Sequence, residues 1–263
     1  MLLRRWLTVA VHAATAVQEV RLFTGHTPQP LSSGSVLSLS EDQRRYLSTV
    51  MRFKVGDQLN VFNGRDGEWK AAVDAMDKKS CSLHVIEQTR GQPLSAPGPT
   101  LMFGVLKGAR LPTLVEKATE LGVGSLVPVV CQHCATRNLN VPKLAKVAIE
   151  ASEQSRRLTV PTIAEPEALG KTLASWDPAR PLLLCDERGG ATPLASFLAD
   201  GHTVNGVALE SAGLLIGPEG GFAPEEFAIL DELAFVHCVS LGANTLRAET
   251  AALAACAVLA ACK

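Results

Sequence analysis

The sequence predicts an α/β protein with a small N-terminal β-barrel followed by a domain in which strands alternate with helices. Three observations predict this fold class. Short apolar runs and turns alternate over residues 20–92, glycine and proline cluster over residues 91–99, and strand-like runs alternate with helical spacing from Thr100 onward. The predicted parts are an N-terminal extension (1–19), the barrel (20–92), a linker (93–99) and the α/β domain (100–263).

Strands in the barrel are predicted over residues 36–39, 58–62, 68–73 and 82–87. Asn63-Gly64 lies between the second and third of these strands and is the strongest short hairpin signal in the chain. One short helix over residues 41–51 interrupts the strands, and Ser40 is its predicted N-cap. Short strands and turns of this kind are typical of a small barrel.

In the α/β domain, strands are predicted over residues 101–106, 125–130, 182–185, 214–216 and 236–241. The predicted helices cover residues 111–121, which end at Gly122, residues 142–157, and a segment that begins at Pro224 with two glutamates in its first turn. Residues 248–262 form a predicted alanine-rich helix that is apolar nearly all round. Such a helix is buried, either in the core or against a partner subunit.

The composition is that of an ordinary globular protein, with 47% apolar and 19% charged residues in a chain of 263. The charge is distributed unevenly. Residues 1–157 carry 20 Lys and Arg against 13 Asp and Glu, a balance of +7, whereas residues 158–263 carry 5 against 13, a balance of −8. The N-terminal part is therefore suited to a polyanion such as RNA, although solvated surface charge explains the same asymmetry.

Seven cysteines without a repeated spacing, several of them in apolar runs, indicate free thiols in a reducing compartment. The Cys-Gln-His-Cys stretch from Cys131 to Cys134 has zinc-ligand residue types. No second Cys/His pair follows at a zinc-finger spacing, so we expect no metal site.

The first 18 residues contain Arg4 and Arg5 before a short apolar run and no acidic residue. This pattern fits an organelle transit peptide, and a misassigned start or a plain N-terminal strand explains it equally well. The chain is accordingly expected in the bacterial cytoplasm or in the mitochondrial matrix. No segment approaches the length of a membrane span, so no membrane association is expected.

Two glycine-bearing loops near the C-terminus carry the chemistry. Residues 214–222 and residues 239–250 each run from an apolar strand through a loop into a helix. Such loops at strand carboxyl ends predict one small-molecule site formed by backbone. Neither loop matches the phosphate-binding fingerprints of nucleotide proteins, which makes a nucleotide-dependent oxidoreductase a remote alternative. A tight strand-to-helix connection without a ligand is the other interpretation of the first loop.

Seven stretches in order resemble the RsmE-type ribosomal RNA methyltransferases of the SPOUT superfamily. They cover nearly all of the chain after residue 20 and lie at residues 21–23, 46–52, 62–69, 116–123, 150–154, 215–221 and 246–250. The resemblance implies a PUA-like RNA-binding barrel and a SPOUT domain with a deep trefoil knot. It also implies a homodimer that transfers a methyl group from S-adenosylmethionine to N3 of a uridine in small-subunit ribosomal RNA.

The cofactor site implied by the resemblance coincides with the two glycine loops. Glycine at three positions of the first loop lets backbone approach a ligand, and Pro218 stiffens that loop. Apolar residues of the second loop are expected to form a second wall. The predicted cofactor-binding residues are Leu184, Ile216, Gly217, Pro218, Glu219, Gly220, Gly221, Leu241, Gly242 and Leu246.

Arg247 and Glu249 lie beside the second loop at a helix start and are the predicted catalytic pair. Methylation of uracil N3 requires the removal of a proton, so Arg247 is expected to stabilise the anion or hold a phosphate while Glu249 takes or relays the proton. A structural pair that caps the helix is the alternative. The chain departs from the family at Ala243-Asn244, where many members have a basic pair, which affects how this loop meets RNA.

The RNA contacts are expected from basic side chains that bind phosphates, and from one asparagine in the hairpin. The predicted RNA-binding residues are Arg21, Arg52, Lys54, Asn63, Arg65, Lys107, Arg110, Arg137, Arg156 and Arg157. The partner is free small-subunit ribosomal RNA or an assembling subunit. Two alternatives stay open: a SPOUT enzyme that modifies another RNA or another atom, and a non-catalytic RNA-binding module.

Overall fold

The computed structural model describes residues 19–25, 29–94, 98–199, 203–204, 207–208 and 212–261. The predicted transit peptide therefore lies outside the described residues. The chain divides into two compact units. Unit 1 extends through Phe62 and resumes over Glu68–Gly91, and unit 2 comprises Asn63–Gly67 and the chain from Gln92 onward.

The described part of unit 1 is a five-stranded sheet in the order β1-β3-β4-β5-β2. The pairing of β1 with β3 is parallel and the other pairings are antiparallel. Register shifts along β4 and β5 bend the two strands, as β-bulges do, around a core that includes Leu47, Val61 and Leu83. The strands are β1 (Arg21–Phe23), β2 (Val36–Ser38), β3 (Gln58–Phe62), β4 (Glu68–Met76) and β5 (Cys81–Arg90).

The helix of unit 1 begins as predicted. Ser40 is the N-cap of α1 (Glu41–Arg45), and its hydroxyl accepts a hydrogen bond from the backbone N–H of Gln43. The Gln43 side chain accepts in turn from the backbone N–H of Ser40, which completes a capping box. The chain continues as a π-helical turn over Tyr46–Val50, whereas one regular helix was predicted over residues 41–51.

Unit 2 is organised around a parallel sheet in the order β11-β15-β10-β14-β6-β7-β8, with β9 paired to β7 beside this path. Its strands lack polar alternation because both faces are covered: Leu182, Leu183 and Leu184 are all fully buried. The strands are β6 (Thr100–Gly104), β7 (Ser125–Val130), β8 (Thr162–Ile163), β9 (Glu167–Ala168), β10 (Leu182–Cys185), β11 (Thr192–Pro193), β14 (Gly213–Ile216) and β15 (Val236–Ser240). A separate antiparallel pair consists of β12 (Thr203–Val204) and β13 (Val207–Ala208).

Five helices of the described residues accompany this sheet: α2 (Arg110–Glu120), α3 (Val141–Gln154), α4 (Leu169–Ala174), α5 (Leu194–Ala199) and α6 (Pro224–Asp231), and α7 (Ala248–Ala261) ends the described chain. The α7 helix packs on the sheet through Ala252, Ala255 and Leu259, which belong to the largest core cluster. Burial in the core, one of the two predicted alternatives, is therefore confirmed for this face of the helix, whereas Thr250, Ala257 and Ala261 are exposed. In the described ranges, no helix has both the length and the apolar character that crossing a membrane requires.

The sheet order positions the site. Strand β10 lies between β14 and β15 and runs parallel to both, with Leu184 level with Leu215 on one side and with Cys238 on the other. Parallel strands end at the same sheet edge. The three loops that follow β10, β14 and β15 consequently leave the sheet side by side.

Candidate active site

A cleft of about 680 Å³ lies at the carboxyl ends of β10, β14 and β15. A volume of this size is typical of small-molecule sites. Its walls come from the three loops, from the start of α7, from Phe227 of α6 and from Arg110 at the start of α2. Cys185 at the end of β10 lines the cleft, and the loop after β10 contributes Asp186, Glu187, Gly189 and Gly190; the sequence predicted none of these residues.

The loop after β14 approaches its neighbours closely, and glycine makes this possible. Gly221 has a φ of +70°, and a Cβ at this position would lie 2.6 Å from Oε1 of Glu187. At the end of β6, a Cβ on Gly104 would lie 2.5 Å from the backbone nitrogen of Pro218. A larger residue at Gly104 would push against the backbone of the loop, whereas at Gly221 the Glu187 side chain can rotate away and the positive φ is what favours glycine.

The loop after β15 leads directly into α7. Leu241, Gly242 and Leu246 line the cleft, and Gly242 has a φ of +122°. Arg247 follows, is exposed, and also lines the cleft; within the described part of the chain it forms no ion pair. Its carbonyl accepts the first hydrogen bond of α7, from the N–H of Ala251. The helix N-terminus, with its free N–H donors, therefore faces the same space.

Arg110 connects the two loops. Its Nη1 lies 3.3 Å from Oε1 of Glu219 in the first loop, and its Nε lies 3.5 Å from Oε1 of Glu249 in the first turn of α7. The backbone N–H of Lys107 donates to the same Glu219 oxygen at 3.1 Å. The other oxygen of Glu249, Oε2, is buried and has no hydrogen-bond partner among the described residues. Glu249 itself is not among the residues that line the cleft, whereas its neighbours Arg247 and Ala248 are.

A second arginine anchors the loop after β10. Arg188 forms ion pairs at 2.8 Å with Asp186 and with Asp231, and its guanidinium lies 4.0 Å from the ring centroid of Phe227. Burial by itself would raise the pKa of Asp186, but the hydrogen bonds from Arg188 outweigh it and hold that pKa below its ordinary value. Hydrogen bonds from Arg188 to Asp231 lower the pKa of that second carboxylate. Asp186 is thus a fixed negative charge on the cleft wall.

Most of the predicted cofactor-binding residues lie in one place. Ile216, Gly217, Pro218, Glu219, Gly221, Leu241, Gly242 and Leu246 all line the cleft. Leu184 does not line it, because the side chain is fully buried in the core beneath, and its neighbour Cys185 lines the cleft instead. Gly220 faces away from the cleft, where its carbonyl oxygen lies 3.1 Å from Nδ1 of His133.

Comparisons with known proteins agree with this geometry. A family model for an RNA methyltransferase domain matches residues 96–260, and a model for an RNA methyltransferase PUA domain matches residues 39–86. The ribosomal RNA small subunit methyltransferase E of Rickettsia conorii is 33% identical over 232 residues, which cover 86% of this chain and 90% of that protein.

The chain belongs to the ribosomal RNA small subunit methyltransferase E family.

Two solved structures share its fold over nearly the whole chain. The family member from Neisseria gonorrhoeae, bound to S-adenosylmethionine, is 26% identical with a TM-score of 0.77, and the match covers 91% of this chain and 95% of that one. A Legionella pneumophila protein described as a candidate methyltransferase, in complex with S-adenosylmethionine, is 25% identical with a TM-score of 0.80. That match covers 93% of this chain and 98% of the other.

Two of the predicted RNA-binding residues of this family member are committed to internal contacts. Arg21 is only 8% exposed, and its Nε lies 2.5 Å from Oε2 of the equally buried Glu68 while its guanidinium stacks on Phe62. Asn63 is buried, and its amide oxygen accepts from the backbone N–H groups of Arg65 and Asp66 to form a side-chain turn. Neither side chain reaches a phosphate without breaking these bonds.

The other predicted RNA contacts differ in exposure. Arg157 is largely buried and donates from Nη1 to two backbone carbonyls, and burial lowers its pKa to about 10. Arg52 and Arg156 are exposed and have left-handed φ angles of 57° and 59°, immediately after helical segments where glycine is usual. The remaining exposed candidates are Lys54, Arg65, Lys107 and Arg137.

The Cys131–Cys134 pair provides too few ligands for a metal. Within the described ranges, no three histidine, cysteine, aspartate or glutamate side chains come together as a set that holds a metal ion. The two cysteines are free thiols, as are Cys81, Cys185, Cys238 and Cys256.

Proposed function

We propose that this protein transfers a methyl group from S-adenosylmethionine to N3 of one uridine in small-subunit ribosomal RNA. The observation that carries the proposal is the cleft that the three loops form at the carboxyl ends of adjacent parallel strands, in a chain similar to two proteins solved with S-adenosylmethionine. The choice of uridine N3 as the methylated atom rests on the family to which the chain belongs.

The residues of the cleft fit S-adenosylmethionine. Apolar side chains of Ile216, Leu241 and Leu246 offer contact surface to an adenosine, and Gly217 and Gly221, which have no side chains, bring backbone to the cleft wall. Asp186 and the other acidic lining residues suit a positively charged ligand. S-adenosylmethionine supplies, when bound, a cationic sulfonium centre with a transferable methyl group.

Arg247 and Glu249 are the proposed catalytic residues. Arg110 pairs with one oxygen of Glu249 and leaves Oε2 as an acceptor for the uracil N3 proton, while the exposed guanidinium of Arg247 stabilises the anion that forms or holds a phosphate. We expect Glu249→Gln and Arg247→Ala to reduce kcat at least about 100-fold. Cofactor affinity should change little, and Glu225→Gln, an exposed carboxylate in the first turn of α6, is the matched control.

This assignment is tested by single-turnover methyl transfer together with calorimetric titration of the cofactor. Full turnover by both variants would remove the pair from catalysis and leave a structural role at the start of α7. A loss of cofactor binding that parallels the loss of turnover would assign the residues to the cofactor site instead.

The part of the chain that matches the PUA-domain model is the proposed RNA-binding part. The exposed basic residues proposed to bind RNA are Arg52, Arg65, Lys107, Arg137 and Arg156. Contacts with phosphates predict an affinity that falls steeply as salt concentration rises. The trefoil knot and the homodimer are further parts of the proposal and rest on the resemblance to the SPOUT superfamily. Such an enzyme works where bacterial-type ribosomes are assembled, in bacterial cytoplasm or in the mitochondrial matrix.

The function is tested by transfer of labelled methyl from S-adenosylmethionine to purified small ribosomal subunits, with large subunits and free small-subunit RNA as parallel substrates. We expect label in the small-subunit RNA and none in large subunits. Transfer only to other RNA would support a different target, and no transfer with intact cofactor binding would refute the substrate. Absence of both transfer and binding would identify a non-catalytic RNA-binding module.

A further inference from the structure

The turn Cys131-Gln132-His133-Cys134 follows β7 and takes no part in the proposed methyl transfer. The backbone N–H of Cys134 donates to the carbonyl of Cys131 at 3.2 Å, which closes a four-residue turn. Such turns bring their first and last Cα atoms within about 7 Å, and disulfides join Cα atoms that are about 4.4–6.8 Å apart. The two cysteines therefore have the spacing that a disulfide requires.

The surroundings of the two sulfurs differ. Cys131 is 2% exposed, whereas Cys134 is partly exposed and its Sγ accepts the backbone N–H of Cys131 at 3.2 Å. A hydrogen bond from the Cys131 side chain lowers the pKa of the Cys134 thiol; burial and the charge of Glu226 oppose this effect without cancelling it. The same hydrogen bond and burial raise the pKa of Cys131. Cys134 is thus the sulfur that solvent reaches and that ionises first.

The two residues between the cysteines hold the loop after β14. The backbone N–H of Gln132 donates to Oε1 of Glu226 at 2.8 Å, and Oε2 of Glu226 accepts the N–H of Ala223 at 2.9 Å. Nδ1 of His133 lies 3.1 Å from the carbonyl oxygen of Gly220. The turn between the cysteines therefore contacts the segment from Gly220 to Ala223 at both ends, directly at Gly220 and through the Glu226 carboxylate at Ala223.

We propose that Cys131 and Cys134 form a site of reversible oxidation, which closes to a disulfide by exchange with a low-molecular-weight disulfide such as glutathione disulfide. The Cys134 thiolate attacks one sulfur of the small disulfide, whose S–S bond breaks and releases one thiolate. Cys131 then loses its proton to that thiolate and attacks Sγ of Cys134, which releases the second small thiolate, and this thiolate takes up from solvent the proton that Cys134 lost on ionising. Two protein thiols are oxidised, and one small disulfide is reduced to two thiols.

Oxidation also acts on the cleft. Oxidation removes the S–H of Cys134, which lies 3.7 Å from the carbonyl oxygen of Val129, and draws Sγ of Cys134 toward Cys131. We expect this movement to reposition His133, which lies between the two cysteines, and to weaken its hydrogen bond with Gly220. The loss of one such bond corresponds to about threefold to tenfold weaker binding at the cleft. This second part rests on the proposed function, because the ligand is S-adenosylmethionine.

The test uses the full chain equilibrated in buffers of increasing ratio of glutathione disulfide to glutathione. Peptide mass mapping is expected to show one disulfide between Cys131 and Cys134, reversed by dithiothreitol and absent from Cys134→Ser, while Cys81→Ser behaves as the wild type. Oxidised protein should bind S-adenosylmethionine about threefold to tenfold more weakly than reduced protein. Hydrogen exchange at the N–H groups of residues 220–223 should rise on oxidation, a readout that needs no cofactor.

Two results would overturn the inference. The first is a protein whose two thiols stay reduced, or carry only separate glutathione adducts, at the most oxidising ratio. The second is a disulfide that forms but changes neither cofactor affinity nor hydrogen exchange of the loop, which refutes the coupling. Reduced protein that fails to bind S-adenosylmethionine would refute the proposed function alone, since disulfide mapping and hydrogen exchange still decide this proposal.

Discussion

The substitution Gly104→Ala tests whether close packing against β6 fixes the position of the loop after β14, and it does so at a residue outside the cleft. Gly104 ends β6, is buried, and is not among the residues that line the cleft. The added Cβ would lie 2.5 Å from the nitrogen of Pro218, 2.7 Å from its Cδ and 2.8 Å from its Cα. Two of these three atoms are backbone, so no rotation of a side chain relieves the contact.

The size of the effect follows from that distance. Ordinary van der Waals contact with a Cβ begins at 3.4 Å, so β6 and the loop must separate by about 0.9 Å. Overpacking of this kind destabilises a folded core by about 1–3 kcal/mol. A loop displaced by most of an ångström also loses the equivalent of a hydrogen bond or more to its ligand, which is roughly tenfold in affinity.

Two assays on purified protein separate these effects. Urea denaturation measures the free energy of unfolding, and calorimetric titration measures the affinity for S-adenosylmethionine. Gly170→Ala is the matched control, because Gly170 lies in α4 and a Cβ there meets nothing within 4 Å. We expect the control to bind as the wild type does and to gain up to about 1 kcal/mol of stability. Wild-type stability and wild-type affinity in Gly104→Ala would refute the described seating of the loop.

Three further predictions concern the arginines. Arg21→Ala leaves the buried Glu68 carboxylate without a counter-charge and, among the described residues, with only the Thr89 hydroxyl as a side-chain donor, so the free energy of unfolding should fall by about 3–5 kcal/mol. An unchanged urea midpoint would show that the pair is unimportant. The lowered pKa of Asp186 contributes stability above about pH 3.9, the unfolded value, and this stability is lost as pH falls through the folded pKa. Arg188→Gln should therefore flatten the loss of stability in acid, and a curve parallel to that of the wild type would contradict it. Arg110→Ala should lower kcat, whereas the free energy of unfolding should change by no more than about 1 kcal/mol because the ion pairs of Arg110 are partly exposed. Arg110→Lys should restore part of the lost kcat.

Much of the fold could be predicted because apolar periodicity and turn residues report local structure directly. Strands β3, β7 and β10 have the predicted bounds, and Ser40 caps α1 as expected. The six-residue helices α4 and α5 escaped prediction, since neither is long enough to show two turns of apolar spacing. The π-helical turn after α1 has no sequence signal that separates it from an α-helix.

The site was predictable where glycine follows a strand. The loop after β10 also contains glycines, Gly189 and Gly190, but the sequence prediction included only the loops after β14 and β15. The sequence could not distinguish a buried polar residue from an exposed one. Arg21 pairs with a carboxylate 47 residues away, and Arg110, expected on RNA, pairs with two glutamates that come together only in the fold.

Nucleoside mass spectrometry of the modified RNA tests the central claim most directly. Small subunits that lack their own uridine-N3 methylation are incubated with the protein and labelled S-adenosylmethionine, and the RNA is digested and sequenced for the labelled position. The account predicts 3-methyluridine at a single position, lost in Glu249→Gln and retained in Glu225→Gln. A label on a ribose hydroxyl, on another base or at many positions would contradict it.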